Sequence, residues 1–201
     1  MTPSRDAIAV RSITGDALGP ILADLARLRI TVFREFPYLY DGTLAYEERY
    51  LADFANAEGA TVIAAYDGAT MVGAATASSM RAHADDFGEP FARAGIDLGS
   101  VFYFGESVLL ASHRGLGLGH AFFDGREARA LAFGASIAAF CRVVRPDEHP
   151  RRPADYAPLD PFWRKRGYAP LEGMVASYAW KDLDEPAETD HPMQFWSRHL
   201  R

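Results

Sequence analysis

Arg114, Gly115, Gly117 and Gly119 stand in the run Ser112-His-Arg-Gly-Leu-Gly-Leu-Gly-His120, between a hydrophobic strand-like segment at 101–110 and a helical pattern over about 118–133. Glycine lets a backbone turn tightly and approach a ligand closely. A helix start adds N–H groups without intrahelical partners and a partial positive charge. Arg114 supplies a full charge beside them, so the loop suits a phosphate or a pyrophosphate.

Spacing separates three kinds of glycine-rich loop. A nucleoside-triphosphatase loop needs Lys followed by Ser or Thr after its last glycine, whereas Gly119 is followed by His120-Ala121. A dinucleotide fingerprint needs Gly-x-Gly-x-x-Gly and an acidic residue about 20 positions on. This chain has Gly-x-Gly-x-Gly, and its next strand candidate, 136–144, holds no Asp or Glu. The third pattern, Arg/Gln-x-x-Gly-x-Gly/Ala, is met by Arg114, Gly117 and Gly119 in a strand–loop–helix setting. On these residues the segment resembles the coenzyme-A motif of the GNAT superfamily of acyl-CoA-dependent N-acetyltransferases.

The elements around the motif follow from periodicity and turn residues. A short strand at 8–13 precedes an amphipathic helix over 17–35, which Pro37 and Asp41-Gly42 end, and a second helix covers about 44–57. Runs at 61–66 and 71–79 flank Asp67-Gly68 as a hairpin. A polar insertion at 81–99 carries a turn or two of helix at 87–94. After the loop and its helix come a strand at 136–144, a Pro/Arg/His loop at 145–158, a short helix at 160–166 and a strand at 174–181. The order is similar to the GNAT layout over roughly 7–181. The run Asp160-Pro-Phe-Trp-Arg-Lys-Arg-Gly-Tyr168 also resembles that superfamily's second motif.

The resemblance implies an α/β fold of the α+β type, with a mixed, mostly antiparallel central sheet flanked by helices and splayed central strands. Residues 1–183 read as the acetyltransferase domain, and 184–201 as a C-terminal tail packed on that domain or on a partner subunit. It further implies acetyl-CoA as co-substrate. The pantetheine would pair with the exposed edge of strand 101–110 at Val108, Leu109 and Leu110, with the N–H of Val108 or Leu109 facing the thioester oxygen. The pyrophosphate would lie on the N–H groups of Arg114, Gly115, Leu116, Gly117, Leu118, Gly119 and His120.

An acceptor amine is protonated at neutral pH, so transfer needs a base. Glu106, on the same strand, is the candidate, set against a structural ion pair with Arg114 or Arg142. The resemblance places a tyrosine acid where this chain has Trp163, leaving Tyr156 and Tyr168 as substitutes, with core packing as the other reading of Tyr168. The helix–helix loop, with Phe36, Tyr38, Tyr40 and Asp41, offers aromatic walls and a carboxylate to a cationic amine. Arg142, Arg145, Arg151 and Arg152 could instead hold an acidic substrate or the 3′-phosphate of the coenzyme. Cys141, inside an apolar strand, reads as a small buried hydrophobe rather than a nucleophile. Gly105-Glu-Ser-Val-Leu109 lacks the last glycine of a hydrolase elbow. The six histidines lack metal-ligand spacing, and no metal is expected.

The whole chain sets bounds on these readings. Its 201 residues, 49% hydrophobic and 24% charged, suit one globular unit. A net charge of −6 argues against nucleic acid as partner. One cysteine, no long apolar run and a start of Met-Thr-Pro-Ser-Arg-Asp lead to the expectation of a cytoplasmic protein without membrane attachment. The expected activity is acetyl transfer from acetyl-CoA to a primary amine, small-molecule or peptide, by direct attack; a homodimer is compatible with this class. The alternative is a catalytically degenerate acyl-CoA-binding sensor or regulatory module.

Overall fold

The computed structural model describes residues 4–201. Its strands are β1 (Ile8–Thr14), β2 (Thr61–Asp67), β3 (Thr70–Ser79), β4 (Val101–Leu109), β5 (Ile137–Val143), β6 (Ala169–Trp180) and β7 (Thr189–His199). They form one seven-stranded sheet in the order β1-β2-β3-β4-β5-β7-β6. Among the described residues β4 and β5 are the one parallel pair, and all other neighbours are antiparallel. The helices are α1 (Leu22–Phe33), α2 (Leu44–Ala55), α3 (Ala84–Arg93), α4 (Leu118–Phe133) and α5 (Asp160–Lys165). A parallel pair needs a crossover, and α4 provides it.

Alternation along the strands sorts the core onto two faces. Val62, Ala64 and Ala74 pack beneath α1 and α2 with Leu25, Leu28, Leu51 and Phe54. Ile63, Ala65 and Ala75 pack against Leu118 and Phe122 of α4. Alanines on β2 and β3 keep the sheet surface low, so both helix layers sit close to it. α3 covers the far half of the first face, where Phe87 and Phe91 meet Phe195 of β7, with ring centroids 5.7 and 5.0 Å apart. Each such fully buried side chain contributes about 1.5–3 kcal/mol.

Several segments depart from the sequence expectation. The first helix does not run from 17: two 3-10 turns, Gly15–Ala17 and Gly19–Ile21, precede α1. Pro20 lacks a donor and clashes with a preceding α turn, so α-helix begins only beyond it. The insertion at 81–99 is more helical than expected, with a 3-10 turn at Met80–His83 running into α3. β6 starts at Ala169, five residues early, because residues between Pro170 and Val175 bulge out of register. The Gln194 side chain fills that bulge, donating to the carbonyls of Leu171 and Met174 at 2.8 and 3.1 Å.

The largest difference lies in residues 184–201, expected as a tail packed on the domain or on a partner subunit. Thr189–His199 is instead an interior strand, hydrogen-bonded to β5 on one side and β6 on the other. Its Phe195 and Trp196 are fully buried, on opposite faces of the sheet.

Candidate active site

The two middle strands part company. β4 and β5 pair only at Val101–Ile137, Phe102–Ala138 and Tyr103–Ala139. Beyond Tyr103, β4 continues with β3 and β5 continues with β7, which leaves a gap between them. The backbone of β4 faces this gap with alternate residues. Leu110 N–H donates to Val72 O on β3 at 3.0 Å. By alternation Val108 also turns toward β3, and Leu109 turns toward the gap. Of the two donors expected for a thioester oxygen, Leu109 is the one on the open edge; Val108 and Leu110 have their N–H groups in the sheet.

A β-bulge turns Glu106 into the site. Gly105 and Glu106 together oppose the single residue Thr76, since Ser107 pairs with Ala75 and Phe104 with Ala77. The extra residue reverses the alternation. Phe104 thus faces α4, while Val108, of the same parity, faces α1. Three groups hold the bulge. Thr76 Oγ1 accepts from Glu106 N–H at 3.1 Å. Gly105 leaves room for that hydroxyl, because a Cβ there would lie 2.5 Å from it. Arg126 of α4, 2% exposed, donates to the carbonyls of Thr76 and Glu106 at 3.4 and 3.3 Å. Burial lowers the Arg126 pKa to about 10, and its guanidinium also lies over the rings of Phe104 and Phe123.

Glu106 is buried against Arg29 of α1, with Oε1 2.6 Å from Nη1. The contact is a charge pair outside hydrogen-bond alignment, so Oε1 takes no hydrogen bond. Arg29 Nε also donates to Glu47 of α2 at 2.5 Å. Burial opposes the charge on Arg29, but Glu106, Tyr50 and Glu47 outweigh it and raise its pKa. The sequence reading set Glu106 against Arg114 or Arg142; its actual partner is an arginine far back in the chain.

Around Glu106 lies a cleft of about 110 Å³. Arg29, Phe33, Tyr38 and Tyr40 close one side, with Tyr46 and Tyr50 of α2. His83, Asp86 and Phe87 close another, and Tyr103, Cys141, Met193, Tyr178 and Trp180 complete it. Burial raises the pKa values of Tyr38, Tyr50 and Tyr103, so these phenols stay protonated at neutral pH. Burial likewise pushes the Cys141 thiol up to about 12, and its sulfur sits 3.0 Å from Tyr103 Oη. Cys141 is therefore wall rather than nucleophile.

Of the four acceptor-side residues expected from the helix–helix loop, Tyr38 and Tyr40 reach the cleft and two do not. Phe36 packs away from it, 4.7 Å from the Tyr156 ring. The Asp41 carboxylate pairs with Lys181 at 2.5 Å and Arg34 at 3.3 Å, which lowers its pKa. The two expected acids are also displaced. Tyr168 is 2% exposed on the α4 side of the sheet, ringed by Phe104, Phe123 and Phe140, with its hydroxyl donating to Glu127 at 3.0 Å. Tyr156 lies between Phe36 and the Arg152 guanidinium, outside the cleft wall. Trp163 is half-buried and packs against the core rings of Phe140 and Trp196. The four arginines considered for anion binding are each paired: Arg142 with Asp160, Arg145 with Asp182, Arg151 with Asp184 and Arg152 with Asp147.

Arg29, Tyr46, Tyr50, His83, Asp86, Phe87, Tyr103, Tyr178, Trp180 and Met193 were not read as site residues from sequence. The available signal was the tyrosine content, nine in all, of which Tyr38, Tyr40, Tyr46, Tyr50, Tyr103 and Tyr178 converge here.

The glycine loop lies at the end of β4. Gly115 and Gly117 have φ of +79° and +76°, and Gly117 caps α4. A Cβ on either would meet nothing within 4 Å, so the space beside the loop is open. Among the described residues, none accepts a hydrogen bond from the N–H groups of 115–119. The 16-residue α4 thus presents free donors at its N-terminus, a cradle that fits a diphosphate. Arg114 instead pairs with Glu35 at 2.7 Å and Leu109 O at 3.3 Å. The His120 Nδ1 contacts Arg166 at 3.2 Å, and His113 turns to Asp67. No group of three or more His, Cys, Asp or Glu able to hold a metal occurs among the described residues, and none of their helices is long and apolar enough to cross a membrane.

The sheet parts at the one parallel pair among the described residues, with a free helix N-terminus at the end of the gap, and the fold is shared with solved acetyltransferases of the GNAT family. No family model matches the chain, and no curated protein matches it in sequence. Among solved structures it is similar to yncA from Salmonella typhimurium, solved with its cofactor acetyl-CoA: 12% identity, TM-score 0.56, covering 97% of this chain and 95% of that one. The ribosomal-protein-alanine N-acetyltransferase of Brucella melitensis gives 14% identity and a TM-score of 0.62, over 96% and 99% of the two chains. A GCN5-related N-acetyltransferase from Kribbella flavida gives 17%, 0.57, and 98% and 100%.

Proposed function

We propose that this chain is an acyl-CoA-dependent N-acetyltransferase that moves an acetyl group from acetyl-CoA to a primary amine by direct attack. The observation that carries this is the placement of a buried carboxylate, Glu106, beside a strand edge that ends in free N–H groups at 115–119. That cradle would hold the diphosphate, and acetyl-CoA would supply the thioester. The Leu109 N–H, on the open edge, would donate to the thioester carbonyl oxygen; one such donor is typically worth about 3 kcal/mol. Glu106 would take the proton from the incoming ammonium, directly or through one water, and the free amine nitrogen would attack the carbonyl carbon. The C–S bond would then break to release the coenzyme thiolate, and the second proton of the attacking nitrogen would pass through solvent to that thiolate. No side-chain acid is assigned to the departing thiolate, since Tyr168 is in the core and Tyr156 is outside the cleft.

Calorimetry with acetyl-CoA and a thiol-release assay against pooled amines test this reading. Gly117→Asp should weaken acetyl-CoA binding at least about tenfold, because it places a side chain at positive φ and a negative charge among the donors. Unchanged binding by this variant would remove the loop from the proposal. Tight binding by the wild type with no release for any amine would leave a binding module.

A further inference from the structure

We infer that the acceptor is a primary amine with an aromatic or bulky apolar body and no carboxylate. The inference rests on the acetyl-transfer reading of the same cleft. Three observations carry it. The first is charge. The buried cluster at the cleft sets one guanidinium, Arg29, against two carboxylates, Glu47 and Glu106. Asp86 adds a third carboxylate in the wall. A buried cluster with excess negative charge is completed by a cation.

The second is the wall itself. Six tyrosines, Phe33, Phe87 and Trp180 surround that charge, and aromatic faces favour an ammonium and an apolar body alike. The wall is held in place before any ligand arrives. Trp180 Nε1 donates to Tyr38 O and to Asp182, each at 3.0 Å, and its ring stacks on His191 at 3.8 Å. Tyr38 O also accepts from Arg145 at 2.8 Å. Walls fixed this way lose little freedom on binding.

The third is what the cleft lacks. A substrate carboxylate needs a free cation, and the cations near the cleft are taken: Arg29 by its two glutamates, Lys181 by Asp41, and Arg145 by Asp182. His83 donates to or accepts from Ser78 at 2.7 Å, and burial lowers its pKa, which keeps it neutral at pH 7. The volume of about 110 Å³ takes a ligand of on the order of ten non-hydrogen atoms, too few for a peptide chain.

The test is a thiol-release assay with acetyl-CoA and four acceptors: 2-phenylethylamine, phenylalanine, spermidine and an alanine-terminated tripeptide. The expected kcat/KM for 2-phenylethylamine exceeds each of the others by on the order of 100-fold. Its trimethylammonium analogue should compete with it without being acetylated. Asp86→Asn, at an exposed helix position, should raise the amine KM several-fold and leave kcat in place. Preference for phenylalanine, spermidine or the peptide overturns the acceptor class and leaves acetyl transfer standing. So does an Asp86→Asn variant with unaltered KM. Acetyl-CoA binding without release for any of the four overturns the acceptor class, and absence of acetyl-CoA binding overturns the acetyl-transfer reading beneath it.

Discussion

Glu106 and Arg29 illustrate how one contact serves two purposes. Removing Arg29 would leave Glu47 and Glu106 buried without their cation, at a cost of about 3–5 kcal/mol, whereas Arg29 keeps Glu47 when Glu106 is neutralised. Glu106→Gln keeps the shape and removes the proposed proton acceptor. Turnover is expected to fall about 10²- to 10⁴-fold, with acetyl-CoA affinity unchanged by calorimetry. Turnover within twofold of wild type would exclude Glu106 as the base. His83 makes a second case at this scale. Its folded pKa lies below the ordinary 6.5 because burial disfavours its charged form. At acid pH the unfolded chain therefore binds this proton more readily than the folded one. The stability it contributes is present above pH 6.5 and is lost as pH falls through that value toward the folded pKa. Melting temperatures of wild type and His83→Gln should diverge as pH drops below 6.5, with the wild type falling more steeply; parallel curves would rule this out.

Among the elements, β4 has the most specialised construction. Its first half follows ordinary alternation, and its second half is shifted by the bulge at Gly105 and Glu106, so that Tyr103 and Glu106 both serve the cleft. The bulge depends on Thr76 from β3 and Arg126 from α4, so three elements fix one carboxylate. Gly105→Ala places a methyl 2.5 Å from Thr76 Oγ1. Overpacking of this kind costs about 1–3 kcal/mol. The expected outcome is a lower urea midpoint together with a loss of turnover larger than the loss of acetyl-CoA binding. A midpoint equal to wild type would mean that the strand absorbs the methyl and the bulge is not tightly set. The loop before α4 was readable as a unit because its signals are local: positive φ wants glycine, and the helix pattern begins directly behind it.

For the whole molecule, β7 decides how the sheet closes. It pairs along its length with β5 and also with β6, and it supplies Met193 to the cleft and Phe195 and Trp196 to the two faces. A chain ended after Glu188 would leave β5 paired only with β4, at three positions, and β6 with no neighbour. We expect such a chain to lack a cooperative thermal transition, measured by circular dichroism. A truncated chain that unfolds cooperatively and still binds acetyl-CoA would show that the last strand is dispensable. α3 and the 3-10 turn before it matter at the same scale, because they carry His83, Asp86 and Phe87 to the cleft from a segment whose composition reads as a polar insertion.

The chain's own residues determined the glycine loop, its helix, most strand positions and the place of Glu106 on β4, because turn chemistry and hydrophobic period act between near neighbours. They also pointed to Tyr38 and Tyr40, through the aromatic loop after α1. Partnerships were decided only in three dimensions. Arg29 meeting Glu106, Asp41 meeting Lys181, Tyr168 turning into the core, and β7 entering between β5 and β6 all join positions far apart in the chain. Periodicity reports that a side chain is buried but not against what, and strand pairing fixes register across distances that no local pattern spans.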